Sequence, residues 1–545
     1  MKLSYAKLLI PLVLGSLAAC GGRSAVPSAG VVPETRRFEP AQARVVSKIV
    51  GVGDSLTAGY QAGGFLGDTD VNDPFYPGLT VKPTQESGWW ALLDEQASSK
   101  PLDTAIAGMY DATLSPLPLI QGPGLDNQIV PSVSAFVPFG QLKTPDACTA
   151  YHGFNQAGFL LRGSARTRMN PAATTVRNVA VPGLTLHEAN VLHQPQTTTC
   201  KPIPGIPGLL SNVVSEESGT FWPVLRDFTN LGPHLTEANA AASRHPTLAT
   251  VWLGANDVLK YMGSGGRFVG GDRNPGQAAS DLKATISTLQ NAGARVVVAN
   301  LPNILETGYF QRMTLVPKTK RDCALETYAS CFLMPVGGLP ASVLPQIAHQ
   351  YHLETPGGCV PTSESKPCGY LTLPAVILIA TYYNPNGGVL PNLDCPKPAP
   401  GCKPKPGSGL GSNYITPAFA GKIQALNDAI NTGIGNAASE THVPLVDIQA
   451  IFEGLASKNP SNPYFAQAAS INPGICCSIG YGAGILSYDG LHPSNTGYAL
   501  IAYDFIATIN KAYGTHIPEV DVRGVYDGTR CSNKKYCFPD PYAPH

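Results

Sequence analysis

The stretch that decides the fold is Val45-Val46-Ser47-Lys48-Ile49-Val50-Gly51-Val52, followed directly by Gly53-Asp54-Ser55-Leu56. A short run this rich in β-branched residues is typical of a strand that is buried on both faces of a sheet. Because the run stops at Gly53-Asp54, we expect Ser55 at the carboxyl end of that strand. Ligands of open α/β sheets bind at this edge. The stretch therefore predicts a core strand and a candidate reactive hydroxyl beside it.

Four later runs have the same apolar character, and helical patterns separate the last three of them. Strands that alternate with helices imply a parallel sheet with helices on both sides, so the sequence predicts an α/β fold. The predicted strands cover residues 176–181, 248–253, 294–301 and 443–448, and the predicted helices cover about 276–291, about 416–439 and the segment after Pro493.

Two stretches interrupt this alternation, at about residues 102–171 and 306–412, and are interpreted as large loop insertions. Long loops inside a compact domain usually carry function or cover a site, so we expect both to roof or border the active site. The main domain is placed at residues 44–515. Residues 516–545 are interpreted as a C-terminal extension pinned by a disulfide between Cys531 and Cys537.

The N-terminus has the pattern of an export signal. Lys2 and Lys7 precede an apolar run from Leu8 to Leu14, and Leu17-Ala18-Ala19-Cys20 follows. The run is too short to span a bilayer and is typical of a secretion signal. Its Leu-Ala-Ala-Cys ending resembles a lipobox, at which the signal is removed and the new N-terminal cysteine is acylated. An ordinary secretion signal cut nearby is the alternative.

This pattern predicts a lipid-anchored, exported protein of the bacterial cell envelope. Residues 1–19 are then the signal peptide, Cys20 carries the lipid, and residues 20–43, rich in Gly, Pro, Ser and Ala, form a tether. The residue after Cys20 is Gly21 and not Asp, which favours the outer membrane or cell surface over the inner membrane as the destination.

The cysteine count agrees with an oxidising compartment. Setting Cys20 aside leaves twelve of thirteen cysteines, and an even number suits a set of disulfides. No CxxC pair occurs, so no metal site is predicted. Close spacings suggest the local pairs Cys323 with Cys331, Cys359 with Cys368, Cys395 with Cys402 and Cys531 with Cys537, and a longer pair of Cys148 with Cys200.

The charge balance gives no reason to expect a charged partner. The chain has 37 acidic and 37 basic residues, and only 14% of its residues are charged. Nucleic acid is therefore not an expected partner, and a neutral substrate is.

A serine hydroxyl is a weak nucleophile unless a base takes its proton and donors stabilise the oxyanion. The candidate base lies in Ser487-Tyr488-Asp489-Gly490-Leu491-His492-Pro493. A spacing of three lets Asp489 reach Nδ1 of His492 and leaves Nε2 to face Ser55. Taken separately, Asp489 could be a turn residue, and Asp54 and Ser55 could merely cap the following helix. The combination favours catalysis.

Two further segments follow predicted strands at the same edge of the sheet. They are Asn178-Val179-Ala180-Val181-Pro182-Gly183 and Gly254-Ala255-Asn256-Asp257. Gly183 can offer its N–H with no side chain in the way, and the amide of Asn256 can offer a second donor. Taken alone, each segment is also explained by the turn chemistry of strand ends.

In chain order, the four segments resemble blocks I, II, III and V of the SGNH hydrolases, the superfamily of GDSL lipases and esterases. The resemblance implies a flavodoxin-like three-layer sandwich with a central parallel sheet. It implies that Ser55 is the nucleophile, that Asp489 and His492 complete a triad, and that the Ser55 N–H, the Gly183 N–H and the Asn256 side chain form the oxyanion hole. No cofactor is implied. Pro182, before the glycine of block II, departs from the small polar residue that many members have.

The resulting expectation is a lipase- or esterase-type hydrolase that cleaves neutral carboxylic esters through an acyl-Ser55 intermediate. The substrate is left open among lipids, short-chain esters and acetylated glycans. A polysaccharide deacetylase or acyltransferase would use the same residues, and a non-catalytic surface-binding lipoprotein is the other alternative. Trp89 and Trp90 are interpreted as core residues, with a substrate platform as the alternative, and Asp257 as a residue that holds the Asn256 loop.

Overall fold

The computed structural model describes part of the chain, and its strands are distributed over that part. That part comprises residues 44–61, 84–98, 116–118, 124–125, 151–154, 160–163, 175–191, 224–267, 275–319, 322, 328–335, 337–354, 359, 366–394, 409–457, 459–471, 484–487, 489–529 and 540. The strands are β1 (Ile49–Gly53), β2 (Gly124–Leu125), β3 (Tyr151–Phe154), β4 (Leu160–Gly163), β5 (Leu248–Trp252), β6 (Arg295–Ala299), β7 (Phe310–Arg312), β8 (Tyr370–Thr372), β9 (Tyr414–Ile415) and β10 (Leu445–Val446).

Helices of the same part of the chain lie mainly between and after the strands of the central sheet. They are α1 (Ser55–Ala58), α2 (Trp89–Ser98), α3 (Glu237–Ala242), α4 (Ala255–Gly263), α5 (Pro275–Asn291), α6 (Ser330–Leu333), α7 (Val343–Gln350), α8 (Leu373–Tyr382), α9 (Pro417–Glu440), α10 (Ile448–Ala456), α11 (Pro463–Ile471), α12 (Asn495–Tyr513) and α13 (Val522–Asp527). The predicted helices correspond to α5, α9 and α12.

A parallel four-stranded sheet in the order β1-β5-β6-β10 forms the centre of the fold. Every residue of β1 and β5 is buried, as expected for strands covered on both faces. The first strand begins later than predicted, at Ile49. The reason is local: the Ser47 hydroxyl donates to the Arg44 carbonyl and closes a turn before the strand.

The predicted strand at residues 176–181 is an extended segment that pairs with the free edge of β1. The Gly51 N–H donates to the Arg177 carbonyl at 3.0 Å, and the Val179 and Val181 N–H groups donate to the carbonyls of Gly51 and Gly53, both at 2.9 Å. Counted with this segment, the strand order is 2-1-3-4-5, that of flavodoxin-like sheets. The predicted α/β fold is confirmed.

The helices pack in two groups. One group contains α3, α5 and α9, and the other contains α2, α12 and α13. From β1, the connection that contains α2 leads to the segment at residues 176–181 on one side. The connections that contain α5 and α9 lead to β6 and β10 on the other side. Since crossovers between parallel strands are right-handed, the two groups cover opposite faces.

Trp89 and Trp90 are core residues, as predicted. Both have no exposed surface, and Trp89 stacks on Phe505 of α12 with ring centroids 3.9 Å apart. The alternative of a substrate platform is wrong, because a fully buried ring cannot contact a ligand at the surface.

The second insertion differs from the expected loop. Strands β7 and β9 both pair antiparallel with β8, and helices α6, α7 and α8 pack on a separate apolar core. The cause is the apolar run of α8, from Leu373 to Ile379, which is buried throughout. This segment thus has enough apolar surface for a satellite core of its own. Of the first insertion, the described part includes β2, β3 and β4, which pair antiparallel.

One predicted disulfide is confirmed: Cys359 and Cys368 are bonded. The other predicted pairs fall wholly or partly outside the described residues, as do the signal peptide, Cys20 and the tether. Within the described residues, no helix is both long enough and apolar enough to cross a bilayer.

Candidate active site

Ser55 lies where the first strand turns into a short helix. Asp54 precedes α1 as its N-cap, and the Asp54 carboxylate accepts a hydrogen bond from the Leu56 N–H at 2.9 Å. Gly53 is required at the turn, because a Cβ there would lie 2.8 Å from the Trp252 carbonyl oxygen. Capping and catalysis are therefore not alternatives at this turn: Asp54 caps the helix, and Ser55 is presented at its first turn.

The structure brings His492 into contact with both Ser55 and Asp489. His492 Nε2 lies 2.9 Å from Ser55 Oγ, and His492 Nδ1 lies 2.7 Å from Asp489 Oδ2. The residues come together across 437 positions of sequence. With Asp489 as acceptor, the imidazole proton lies on Nδ1, so Nε2 is left to accept the serine proton.

Asp489 is held as a charged acceptor. Its Oδ1 accepts hydrogen bonds from the N–H groups of Leu491 and His492, at 2.8 and 2.9 Å. Burial alone would raise the pKa of Asp489, but the imidazole of His492 and these hydrogen bonds outweigh it and lower the pKa below its ordinary value. A charged Asp489 stabilises the imidazolium that forms when His492 takes a proton.

The loop between Asp489 and His492 rests on the second insertion. Gly490 has a positive φ of 71°, and a Cβ there would lie 2.7 Å from the backbone nitrogen of Tyr309. The Tyr309 N–H donates to the Gly490 carbonyl at 2.7 Å. The second insertion thus borders the site, as expected, and glycine is the residue that this contact admits.

Two backbone N–H groups, those of Gly183 and Ser55, have no hydrogen-bond acceptor among the described residues. Gly183 is exposed and has a positive φ of 85°, and its N–H makes no hydrogen bond to any described residue. The Ser55 N–H is at the start of α1, where backbone donors have no partner within the helix. The hydrogen bond from Val181 to Gly53 brings the two segments side by side.

Asn256 connects its own segment with those that contain Ser55 and Gly183. Its Nδ2 donates to Asp54 Oδ2 and to the Leu184 carbonyl, both at 3.0 Å. Both amide hydrogens are therefore engaged within the protein. Asp257 connects two of these segments: its carboxylate accepts from the Leu186 N–H at 3.0 Å, and its own N–H donates to the Gly254 carbonyl at 3.1 Å within the Asn256 loop.

A second buried carboxyl lies behind Ser55, and sequence reasoning missed it. Glu237, at the start of α3, has no exposed surface, and its Oε1 accepts from the Gly53 N–H at 2.7 Å. Its Oε2 has no hydrogen-bond partner among the described residues. The sequence offers only a weak signal, since Thr236-Glu237 is also the usual start of a surface helix.

Burial controls the protonation of both carboxyls. It raises the pKa of Asp54 to about 7, against the lowering effects of the Leu56 N–H, His492 and Asn256. Burial also raises the pKa of Glu237 well above its ordinary value; the Gly53 N–H opposes this and the charge of Asp54 adds to it. Burial and the neighbouring charge of Asp54 thus favour the neutral form of Glu237.

The described residues include no group of three or more His, Cys, Asp or Glu side chains placed to hold a metal ion.

Comparison with known families matches the GDSL-like Lipase/Acylhydrolase model to residues 49–332, just over half of the chain. The chain belongs to this family. It is a carboxylic ester hydrolase. Searches of curated proteins and of solved structures found no match. The matched range of this GDSL-like hydrolase holds Ser55, Gly183 and Asn256 but ends before Asp489 and His492, so the case for the last two rests on their contacts with Ser55.

Proposed function

We propose that Ser55 is the nucleophile of this ester hydrolase, that His492 is its general base and acid, and that Asp489 orients the imidazole. The observation that supports this most directly is the pair of contacts from one imidazole, 2.9 Å to Ser55 Oγ and 2.7 Å to Asp489 Oδ2. Both distances are within the range that proton transfer needs.

In the first half of the reaction, Ser55 Oγ attacks the ester carbonyl while His492 Nε2 takes the hydroxyl proton. The tetrahedral intermediate collapses when the bond from the carbonyl carbon to the alcohol oxygen breaks. His492 gives its proton to that oxygen, the alcohol leaves, and the acyl group remains on Ser55. In the second half, His492 takes a proton from water and the hydroxide attacks the acyl carbon. The bond from that carbon to Ser55 Oγ then breaks, His492 returns its proton to Oγ, and the free acid leaves.

We assign the oxyanion hole to the Ser55 N–H, the Gly183 N–H and the Asn256 amide. The first two donors have no competing acceptor among the described residues. The Asn256 amide already donates to Asp54 and to the Leu184 carbonyl, so the oxyanion must share one of its hydrogens. Its contribution then depends on how strongly Asp54 competes for it.

The assignment of Ser55 is tested with a chromogenic short-chain ester and a fluorophosphonate that labels activated serines. Ser55→Ala should show no turnover above background and no label, with an unchanged circular dichroism spectrum. Ser47→Ala is the matched control, since Ser47 is exposed at the opposite end of β1. Turnover by the folded Ser55→Ala variant would rule Ser55 out.

We further propose that the chain is exported and anchored through lipid on Cys20, with the outer membrane or the cell surface as its place. The support is the sequence Leu17-Ala18-Ala19-Cys20 after an apolar run, together with the disulfide between Cys359 and Cys368, which suits an oxidising compartment. The ester substrate would then be met in the envelope or outside the cell.

Anchoring is tested by metabolic labelling with a radioactive fatty acid in a bacterial host. The full chain should incorporate label and fractionate with membranes, whereas Cys20→Ala should incorporate none. Equal labelling of both chains, or no labelling of the full chain after its export, would contradict the anchor.

A further inference from the structure

A pocket opens beside Ser55 and runs along the carboxyl edge of the sheet. It encloses about 420 Å³, including the part that is open to solvent, and Ser55, Asn256 and His492 lie in its wall. The remaining wall is mainly apolar. Its large apolar side chains are those of Leu56, Trp252, Leu259, Ile304, Phe452 and Leu491.

The wall residues follow successive strands of the central sheet. Ser55 follows β1, Trp252 ends β5, Ile304 follows β6, and Phe452 lies on α10 directly after β10. Among these wall residues, Phe452 therefore comes from the element that is farthest from Ser55 in strand order.

The polar groups of the wall, apart from the reacting ones, are satisfied within the protein. The Trp252 Nε1–H donates to the Asn300 carbonyl at 3.0 Å, and the Thr307 hydroxyl donates to the Ile304 carbonyl at 2.8 Å. No charged side chain is among the described residues that line the pocket. A group bound there gains by burying apolar surface and finds no partner for a charge or a sugar hydroxyl.

The inner end of the pocket is closely packed. Phe452 and Ile304 are each only 3% exposed, and Trp252 is 1% exposed. So little exposed surface at the inner end leaves room for a small group only, and a long chain would have to displace well-packed side chains.

We propose that this pocket binds the acyl part of the substrate and selects short, apolar acyl chains, with Phe452 setting the upper length. The proposal rests on the assignment of Ser55 as the nucleophile. The acyl group stays on Ser55 through both halves of the reaction, whereas the alcohol must leave and water must enter. A pocket with a closed inner end suits the group that stays.

Two ester series test the proposal: one varies the acyl chain on a fixed alcohol, and the other varies the alcohol chain on a fixed acetyl group. In the acyl series, kcat/KM should rise by about fourfold per methylene while the chain is being buried, and should fall once it reaches Phe452. The alcohol series should be flat to within about twofold per methylene. A steep alcohol series with a flat acyl series would overturn the assignment of the pocket to the acyl group.

Variants of the wall test the length limit. Phe452→Ala should move the preferred acyl chain to one about two methylenes longer, and Leu259→Phe should move it toward acetyl. Phe228→Leu is the matched control, since it shortens a buried aromatic residue that does not line the pocket, and it should keep the wild-type preference. A folded, active Phe452→Ala enzyme with the wild-type preference would overturn the role of Phe452.

The outcomes separate this inference from the proposed function. Loss of activity in Ser55→Ala with no chain-length selectivity in the active enzymes would refute the pocket and leave the nucleophile in place. Turnover by Ser55→Ala would refute the nucleophile, whatever the chain-length profiles.

Discussion

The carboxylate of Asp540 caps the helix that follows His492, through two hydrogen bonds from Thr496. Its Oδ2 accepts from the Thr496 N–H at 2.7 Å and from the Thr496 hydroxyl at 2.6 Å. Asp540 has no exposed surface, and α12 begins three residues after His492. The C-terminal extension thus reaches the segment that carries the proposed base.

Asp540→Ala should lower the free energy of unfolding by about 2–4 kcal/mol, because it removes a buried charged acceptor and leaves two donors without a partner. Denaturant unfolding measures the change. Asp521→Ala is the control, since Asp521 caps α13 from an exposed position and should cost about 1 kcal/mol. Equal losses for the two variants would show that the buried cap contributes no more than an exposed one.

Glu237→Gln should reduce the pH dependence of stability. Burial raises the pKa of Glu237 well above its ordinary value and that of Asp54 to about 7. The folded state then holds protons that the unfolded state has released, so stability falls as the pH rises from about 4, near the unfolded carboxyl values, through the folded values. Gln keeps an acceptor for the Gly53 N–H but does not titrate.

The measurement is the free energy of unfolding at several pH values between 5 and 9. Its slope against pH gives the number of protons by which the folded and unfolded states differ. We expect the slope of Glu237→Gln to be shallower by up to about one proton. Glu237→Ala, which also does not titrate but leaves the Gly53 N–H without its acceptor, should be less stable than Glu237→Gln by about 1–3 kcal/mol at every pH. Identical slopes for wild type and Glu237→Gln would contradict a titrating Glu237.

Asp54→Asn should impair catalysis through Asn256. An Asn that keeps its oxygen toward the Leu56 N–H turns an NH₂ group toward the NH₂ of Asn256, so two donors face each other. The Asn256 amide then rotates out of place, and kcat should fall by about 100-fold or more with a small change in KM.

A double-mutant cycle checks the route of this effect. If Asp54 acts by placing Asn256, then Asp54→Asn combined with Asn256→Ala should be no worse than Asn256→Ala alone. Independent, multiplying losses would mean that Asp54 acts in another way.

Gly490→Ala should reduce kcat severely, because the added Cβ would lie 2.7 Å from backbone atoms of Gly308 and Tyr309 and would push the loop between Asp489 and His492 out of place. Gly514→Ala is the matched control. Its φ of 63° carries a similar backbone cost of about 1 kcal/mol, but a Cβ there meets no atom within 4 Å. Steady-state kinetics should therefore separate the two variants, and comparable activity in both would argue that the contact with Tyr309 does not position the loop.

The parts of the molecule that the sequence predicts well are those whose cause is local. The dense β-branched runs of β1, β5 and β6 correspond to strands, and the spacing of Asp489 and His492 within one loop allows their contact. The position of Ser55 follows from the end of a buried strand.

The features that escaped prediction depend on contacts between distant segments. Glu237 meets Gly53 across 184 residues, and Asp540 meets Thr496 across 44. Nothing near either acid in the sequence marks it as buried. The separate core of the second insertion escaped for another reason, because its Pro, Gly and Cys content resembles that of a loop although α8 is apolar from Leu373 to Ala380.

The bond between Tyr309 and Gly490 has a consequence for engineering. Tyr309, which directly precedes β7 of the second insertion, also supports the turn between Asp489 and His492, so the second insertion is not a detachable module. A chimera that exchanges it with a related enzyme has to keep the short stretch around Gly308 and Tyr309 from its recipient. If the exchange instead begins further along the chain, between β7 and β8, the hydrogen bond between Tyr309 and Gly490 is kept.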